Sequence, residues 1–403
     1  MTEPLDPRDP VALAAALVQC PSVTPNEGGA LALLETILGD AGATLERPIF
    51  TEAGTPDVEN LYASVGPTDG PHLVFAGHTD VVPPGEGANW SAPPFAAEIV
   101  DGEMIGRGVE DMKGGVAAFV SAVARLLDRN ELPGRVSFLI TGDEEGPAIN
   151  GTAKLLRHIH QRGERFDAAL VGEPTNAEEL GDTIKIGRRG SLTGELMVEG
   201  EQGHAAYPER ADNATRGMVI LLAAMMGEPL DGWTEHFQPS NLEVTTIDTG
   251  NPATNVVPGR VMAHFNIRHN DTWTTETLRA EIERRCQVAA GERGPLRSRN
   301  EPVRWSIRWR EPASPVFLTE DEALIAALSD AIDTVSGRTP TLGTGGGTSD
   351  ARFIKDYCPV VEFGLVGRTM HQVNERVPVH EIERLSEIYE QFILRWFEKQ
   401  ALA

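Results

Sequence analysis

The chain predicts an α/β protein in two parts, an open sheet flanked by helices and an inserted β-α-β-β-α-β unit. Three observations carry this. Short apolar runs alternate with helical stretches through the first half, and several end at a His, Asp or Glu. From about Gly187 the pattern turns to alternating strands in the order of a ferredoxin-like unit. After that stretch the α/β character resumes, so the middle reads as an insertion. A length of 403 residues also favours two domains over one core. The boundaries read as 1–187 and 303–403 for a discontinuous outer domain, and 188–302 for the insert.

The elements follow in order. Asp9 and Pro10 open an amphipathic helix to Val18, and a second helix covers 28–42. Residues 61–65 and 72–76 read as strands, the second nearly all apolar and so central. His78 stands just past its end, where ligands are expected in an open α/β sheet. A long apolar stretch over 114–127 is a buried helix. Strands at 135–141 and 168–171 deliver Asp143-Glu144-Glu145 and Glu173 to the same edge. The insert holds strands at 191–198, 241–247 and 259–267, with helices at 213–226 and 274–286, and an alternating strand at 303–309, just past its boundary, completes the β-α-β-β-α-β order. Beyond it come a helix over 320–335, a strand at 359–363 that precedes His371, and a last helix over 379–399.

Composition narrows the function classes. Hydrophobic content of 40% and charged content of 24% suit a soluble globular chain. A net charge of −25 argues against nucleic acid and against an anionic membrane surface, since both need a basic face. The three cysteines, Cys20, Cys286 and Cys358, are too few and too scattered for a disulfide framework or a thiolate metal site. Free thiols and an N-terminus without basic and apolar signal regions point to the cytoplasm. No apolar run approaches membrane-spanning length.

The motifs point to metal chemistry. His78, Asp111, the pair Glu144 and Glu145, Glu173 and His371 form a nitrogen and oxygen donor set that suits two zinc ions with water between them. A lone carboxylate past a strand is usually solvated, but four strand or turn ends that deliver such groups to one edge are not explained that way. Asp80 is placed to hydrogen-bond the far ring nitrogen of His78 through its carboxylate. Adjacent Glu144 and Glu145 point in different directions, so one binds metal and the other serves as general base; the sequence leaves open which. Asp111 lies in a Gly-rich turn where a carboxylate could bridge two ions. Three carboxylates against two dications leave a charge of about +1, which acidifies a bound water. The Gly343–Asp350 loop lacks the Gly-Lys-Ser/Thr ending of a phosphate loop, and its backbone N–H groups suit a substrate anion. His204 is a candidate oxyanion donor, and Arg189 and Arg268 are candidates for a carboxylate clamp.

Together GHTDVVPPG, GRGVEDMKGG, TGDEEG, VGEPT, GHAAYP, GGGTSDARF and MHQVNE resemble the di-zinc aminoacylase and carboxypeptidase-like deacylase family, over essentially the whole chain. GRRGS, HAAYPERADN, GGGTSDARF and MHQVNERV most resemble its bacterial desuccinylases, which release succinate from N-succinyl-LL-2,6-diaminopimelate. The resemblance implies a zinc-peptidase-like catalytic domain with a central mixed sheet, and a homodimer formed through the insert. It implies that Asp111 bridges two zinc ions, with cobalt or manganese as substitutes. His78 and Glu173 would complete one site, and Glu145 and His371 the other. Glu144 would be the base, Asp80 would orient His78, and His204 and Asn255 would act from the partner chain. Arg189, Tyr207, Arg268, Gly347 and Thr348 match substrate-holding positions, and the Asp111–Met112 peptide is expected to be cis. One position departs: some relatives carry a substrate-contacting Asn four residues before the last metal His, and this chain has Gly367. Sister enzymes such as acetylornithine deacetylase, aminoacylase and carboxypeptidase share the metal core. A non-catalytic binding protein on the same fold is the reading from another class, and the intact ligand set with Glu144 argues against it.

Overall fold

The apolar runs of the outer domain become the middle of an eight-stranded mixed sheet. The computed structural model describes residues 5–292 and 301–402. The chain divides into two compact units: Met1–Ile186 with Thr319–Gly343 and Ser349–Ala403, and Gly187–Leu318 with Thr344–Thr348.

In the first unit four central strands, Arg135–Thr141, His72–His78, Ala168–Val171 and Val360–Glu362, run parallel. Their residues are almost all buried, as strands covered on both faces must be. Antiparallel Leu61–Val65 and then Thr44–Glu46 extend one side. Thr183–Lys185, antiparallel to Val360–Glu362, and Thr341–Gly343 extend the other. Parallel strands end at one edge, so everything that follows their last residues is gathered there.

Helices flank this sheet. Phe75 from the His72–His78 strand stacks on Phe119 of helix Gly114–Asp128, with ring centroids 4.3 Å apart. It also meets Tyr389 of helix Val379–Leu402 edge-on at 6.0 Å. Helix Pro10–Val18 starts where Asp9 Oδ1 accepts the Val11 and Ala12 N–H groups at 2.9 and 3.0 Å. Helix Thr152–Gln161 buries Leu155, Leu156 and Ile159. No helix among the described residues is long and apolar enough to cross a membrane.

The second unit is a four-stranded antiparallel sheet. In chain order its strands are Gly190–Glu199, Asn241–Asp248, Arg260–His269 and Arg304–Trp309. In space Gly190–Glu199 lies between Arg260–His269 and Arg304–Trp309, and Asn241–Asp248 takes the edge. With helices Ala214–Met226 and Thr275–Gly291 this is the ferredoxin-like arrangement. Leu192, Leu196, Phe265 and Ile267 face Met218, Leu221, Leu278 and Ile282 in its core. The alternate residues leave a polar open face. Because Arg304–Trp309 pairs with Gly190–Glu199, the unit runs past residue 302, where the sequence reading ended the insert.

Candidate metal centre

The carboxyl edge of the first unit's sheet collects the acids and imidazoles picked out in the sequence. His78 is the last residue of its strand rather than just beyond it, and is fully paired with Thr141 across the sheet. Glu144 and Glu145 follow the neighbouring strand, and Glu173 follows Ala168–Val171. Asp111 lies in the turn that leads into helix Gly114–Asp128. The Asp111–Met112 peptide is cis, and the fully buried Met112 methyl presses that turn onto the sheet. A Cβ at Gly77 would meet this methyl at 2.6 Å, and one at Gly172 would meet the Phe75 ring at 2.6 Å and the methyl at 2.9 Å, so the methyl packs closely against the backbone at both strand ends. Burying the methionine contributes roughly 1.5–3 kcal/mol and seats Asp111 between the strands that carry His78 and Glu173.

Asp111 stands at the centre. Its Oδ1 lies 3.1 Å from His78 Nε2 and its Oδ2 lies 3.2 Å from His371 Nε2. His371 Nε2 is also 2.8 Å from Glu145 Oε1, and His78 Nε2 is 3.8 Å from Glu173 Oε1. The donor atoms of His78, Glu144 and Glu173 lie within 4.8 Å of one another, as do those of His78, Asp111 and Glu145. His371 has a positive φ of 63°, which turns its ring back toward the acids.

Asp80 corrects the sequence reading. His78 Nδ1–H donates to the Asp80 backbone oxygen at 2.8 Å, while the carboxylate is 3.6 Å away. That carboxylate accepts instead from the N–H groups of Glu144 and Glu145, at 3.2 and 3.0 Å, and from the Thr24 hydroxyl at 2.7 Å. Asp80 thus fixes the His78 tautomer through its main chain and the Glu144–Glu145 turn through its side chain. The physical reason is that the tight turn after His78 brings the carbonyl, not the carboxyl, under the ring.

The electrostatics call for cations. Burial, with the charges of Asp350, Asp111 and Glu145, holds the half-buried Glu144 carboxyl well above its usual range. Burial, with Asp111 and Glu144, does the same to Glu173. Burial raises Asp80 to about 6. Hydrogen bonds to Asp111 and Glu145 push His371 up to about 10. Burial opposes a charge on His78, but the bond and charge of Asp111 with Glu173 and Asp80 outweigh it and raise the ring well above the usual value. The imidazoles of His78 and His371 stand among the carboxylates of Asp111, Glu144, Glu145 and Glu173, and divalent cations suit the charge of such a set. The donors are nitrogen and oxygen with no thiolate, the set that suits zinc, cobalt or manganese.

This geometry accompanies a match of residues 74–395 to the model of peptidase family M20/M25/M40. The chain belongs to that family. Solved structures share its fold at low identity. Aminopeptidase PepT from Bacillus cereus is 22% identical with a TM-score of 0.77, over 97% of this chain and 99% of that one. Human carnosine dipeptidase 1 is 19% identical with a TM-score of 0.75, over 97% and 96%. The YXEP protein of Bacillus subtilis, a dinuclear metal binding peptidase of family M20, is 16% identical with a TM-score of 0.68, over 96% and 97%.

In this M20 chain the remaining predicted residues all belong to the second unit. Three of them come together. His204 pairs with Val256, the Ala205 N–H donates to the Asn255 backbone oxygen at 2.9 Å, and the Tyr207 ring lies 5.6 Å from that of His204. All three are exposed. Arg189 donates to Asn241 Oδ1 at 3.0 Å, and Asn241 is paired in register with Arg268 on the sheet's polar face. Gly347 and Thr348 lie in the Gly-rich loop, whose backbone oxygens at Gly345 and Gly347 are held by buried Arg188 at 3.4 and 3.2 Å. Arg188, next to the predicted Arg189, was missed, although it stands in the same GRRGS motif. Asp350, a buried carboxylate that opposes charge on Glu144, was missed in the same way within GGGTSDARF. Gly367 donates to the Asn176 backbone oxygen at 3.0 Å, and a Cβ there would meet nothing closer than 3.7 Å.

Proposed function

We propose that this M20 chain is a two-metal amide hydrolase that converts N-succinyl-LL-2,6-diaminopimelate and water to LL-2,6-diaminopimelate and succinate. The observation that carries the chemistry is the central Asp111, with one oxygen toward His78 and the other toward His371. His78 and Glu173 would hold one ion, Glu145 and His371 the other, and Asp111 both. Ions held there would supply Lewis acidity to a water and to the scissile carbonyl. Glu144 lies within 4.8 Å of the His78 and Glu173 donors, and the ligand assignment above leaves its carboxylate to take a proton from water and pass it to the leaving amine. Its raised proton affinity suits that task, and Asp80 holds its backbone.

The succinyl substrate is supported by GRRGS, HAAYPERADN, GGGTSDARF and MHQVNERV. Arg189, Arg268 and the N–H groups at Gly347 and Thr348 are suited to carboxylates, of which this substrate has several. His204 and Asn255 would act on the active site of a partner chain, in a homodimer formed through the second unit, and Tyr207, beside His204, would hold substrate. The exposure of all three is consistent with those roles.

The deciding experiment is hydrolysis of N-succinyl-LL-2,6-diaminopimelate by zinc-loaded protein, beside N-acetylornithine, N-acyl amino acids, short peptides and a chelator control. Chelator-sensitive turnover of the succinyl substrate alone supports the proposal. Turnover of another acyl or peptide substrate keeps the mechanism and overturns the substrate.

A further inference from the structure

Asp111 and His371 are far apart in the chain, and each lies in irregular backbone. The Asp111 turn spans 106–111, and the His371 loop spans 367–376. The two segments are joined at one end, where the Gly106 N–H donates to the Glu375 backbone oxygen at 2.9 Å and Arg376 pairs with Ile105, but that ladder stops short of Asp111 and His371. Two carboxylates cross between them in opposite senses. Glu375, from the loop, is almost wholly buried. Its Oε1 accepts from the N–H groups of Gly108, Glu110 and Asp111, at 3.0, 3.0 and 3.3 Å. Its Oε2 accepts from Arg107 Nη1 at 2.5 Å, and Arg107 Nη2 reaches back to the His371 backbone oxygen at 3.3 Å. Glu110, from the turn, is equally buried. It accepts from the Thr369 N–H at 2.9 and 3.0 Å and from the Thr369 hydroxyl at 2.5 Å.

We infer that Glu375 and Glu110 form a reciprocal clasp that sets the Asp111–His371 separation, and so decides how tightly the ion on the Glu145 and His371 side is held. Both are positioning residues and touch no reacting atom. The inference rests on the two-metal reading above. Every contact in the clasp lands on backbone or on Arg107 and Thr369, next to one ligand or the other. His78 and Glu173 need no such device, because strand ends position them. The ion on their side shares only Asp111 with the clasp and should therefore be weakened less than the ion on the His371 side. Outer partners that orient a metal ligand commonly change affinity 10–100-fold.

The test is stepwise zinc binding by competition with a chromophoric chelator, with cobalt absorption spectra at one and two equivalents. It compares wild type, Glu375→Gln, Thr369→Val and Thr369→Ser. Thr369→Val removes one hydroxyl at a half-buried position and keeps the N–H, so it decides the matter if Glu375→Gln fails to fold. The expected result is a first ion weakened much less than the second, which loses about 10–100-fold in Glu375→Gln and Thr369→Val, with Thr369→Ser close to wild type. The second-equivalent cobalt spectrum should change in parallel. Two ions bound with wild-type affinity in both Glu375→Gln and Thr369→Val would overturn the clasp and leave the two-metal reading intact. Equal weakening of both ions would also overturn it. A wild type that binds fewer than two ions would overturn the reading itself, and the clasp with it.

Discussion

The sheet edge of the first unit and the His204 loop of the second hold their functional side chains in different ways. At the sheet edge His78 ends a buried strand, Asp80 carries three hydrogen bonds, and Asp111 is pinned by Met112 and Glu375. In the loop, His204 is exposed, and its Nδ1 accepts one backbone N–H, from Ala206, at 3.1 Å. The first arrangement is preorganised for ions, where a small misplacement is expensive. The second suits a group that meets its target only when another surface arrives. Substitutions at the edge should therefore act on metal content and on the chemical step together. Substitutions in the loop should spare the metals and depend on the partner.

The largest effect that would break this contrast concerns Asp111 and Glu144. Asp111→Ala should bind neither ion tightly and fall to background turnover, as read by metal analysis of dialysed protein. Glu144→Gln should keep both ions and lose turnover about 10²–10⁴-fold. Substantial activity in Glu144→Gln would remove it as the base. His204→Ala should keep both ions and lower kcat about 10²-fold with little change in KM, as expected of a donor that matters most in the transition state. The two kinds of variant also test one another. If His204 works across a dimer, mixing inactive Glu144→Gln with His204→Ala protein and allowing subunit exchange should restore activity, to about a quarter of wild type for random pairing with one live site per mixed dimer. Absence of rescue, with exchange verified, would put His204 in its own chain's site or outside any.

How much of this was legible in the sequence follows the same division. Strands 61–65, 135–141 and 168–171 were read to the residue, because uninterrupted apolar runs between turn residues have one interpretation in a sheet covered on both faces. Thr183–Lys185 and Thr341–Gly343 were not, since three-residue polar strands owe their existence to partners distant in sequence. Helix Thr152–Gln161 was also passed over, although Leu155, Leu156 and Ile159 mark its buried face; two His and an Arg dilute the apolar signal. At the site, side-chain chemistry nominated the acids and imidazoles, and spacing placed them at one edge. What spacing could not convey is which atom of Asp80 meets His78, or that Glu110 and Glu375 clasp each other's loops. Those depend on backbone direction in turns and on contacts between segments remote in the chain.

A smaller effect tests the frame beneath His78. His72 opens the same strand, buried, with Nδ1–H donating to the Arg165 oxygen at 2.8 Å and Nε2 accepting from Ser137 at 2.6 Å. Burial first, and then the Arg135 charge, lower it to about 4, against the opposing charges of Glu164 and Asp167. The folded protein therefore binds fewer protons here than the unfolded chain. The stability from a neutral His72 is complete above the unfolded value of about 6.5 and is lost as pH falls toward 4, up to about 3 kcal/mol. Urea unfolding of metal-free protein between pH 4 and 7 should show this slope, and His72→Asn should flatten it. Equal slopes would mean that acid sensitivity arises at the metal ligands instead.

The smallest effect asks whether the edge is as finished as its rigidity suggests. The resemblance read in the sequence places the substrate-contacting Asn of some relatives at Gly367. Its backbone N–H is spent on Asn176, its φ is not positive, and a Cβ has room between Met370 and Pro174. Neither strain nor crowding therefore requires glycine. Gly367→Asn should fold with unchanged metal content and lose a few tenths of a kcal/mol of unfolded-state entropy, which stabilises slightly. If the succinyl substrate is right, the added amide supplies a donor near the ligand loop and should lower KM by a small factor, with kcat nearly constant. A raised KM with intact metals would mean that glycine leaves space the true substrate fills. That result would move the search toward acyl groups or peptides bulkier than succinate at this point of the ligand loop.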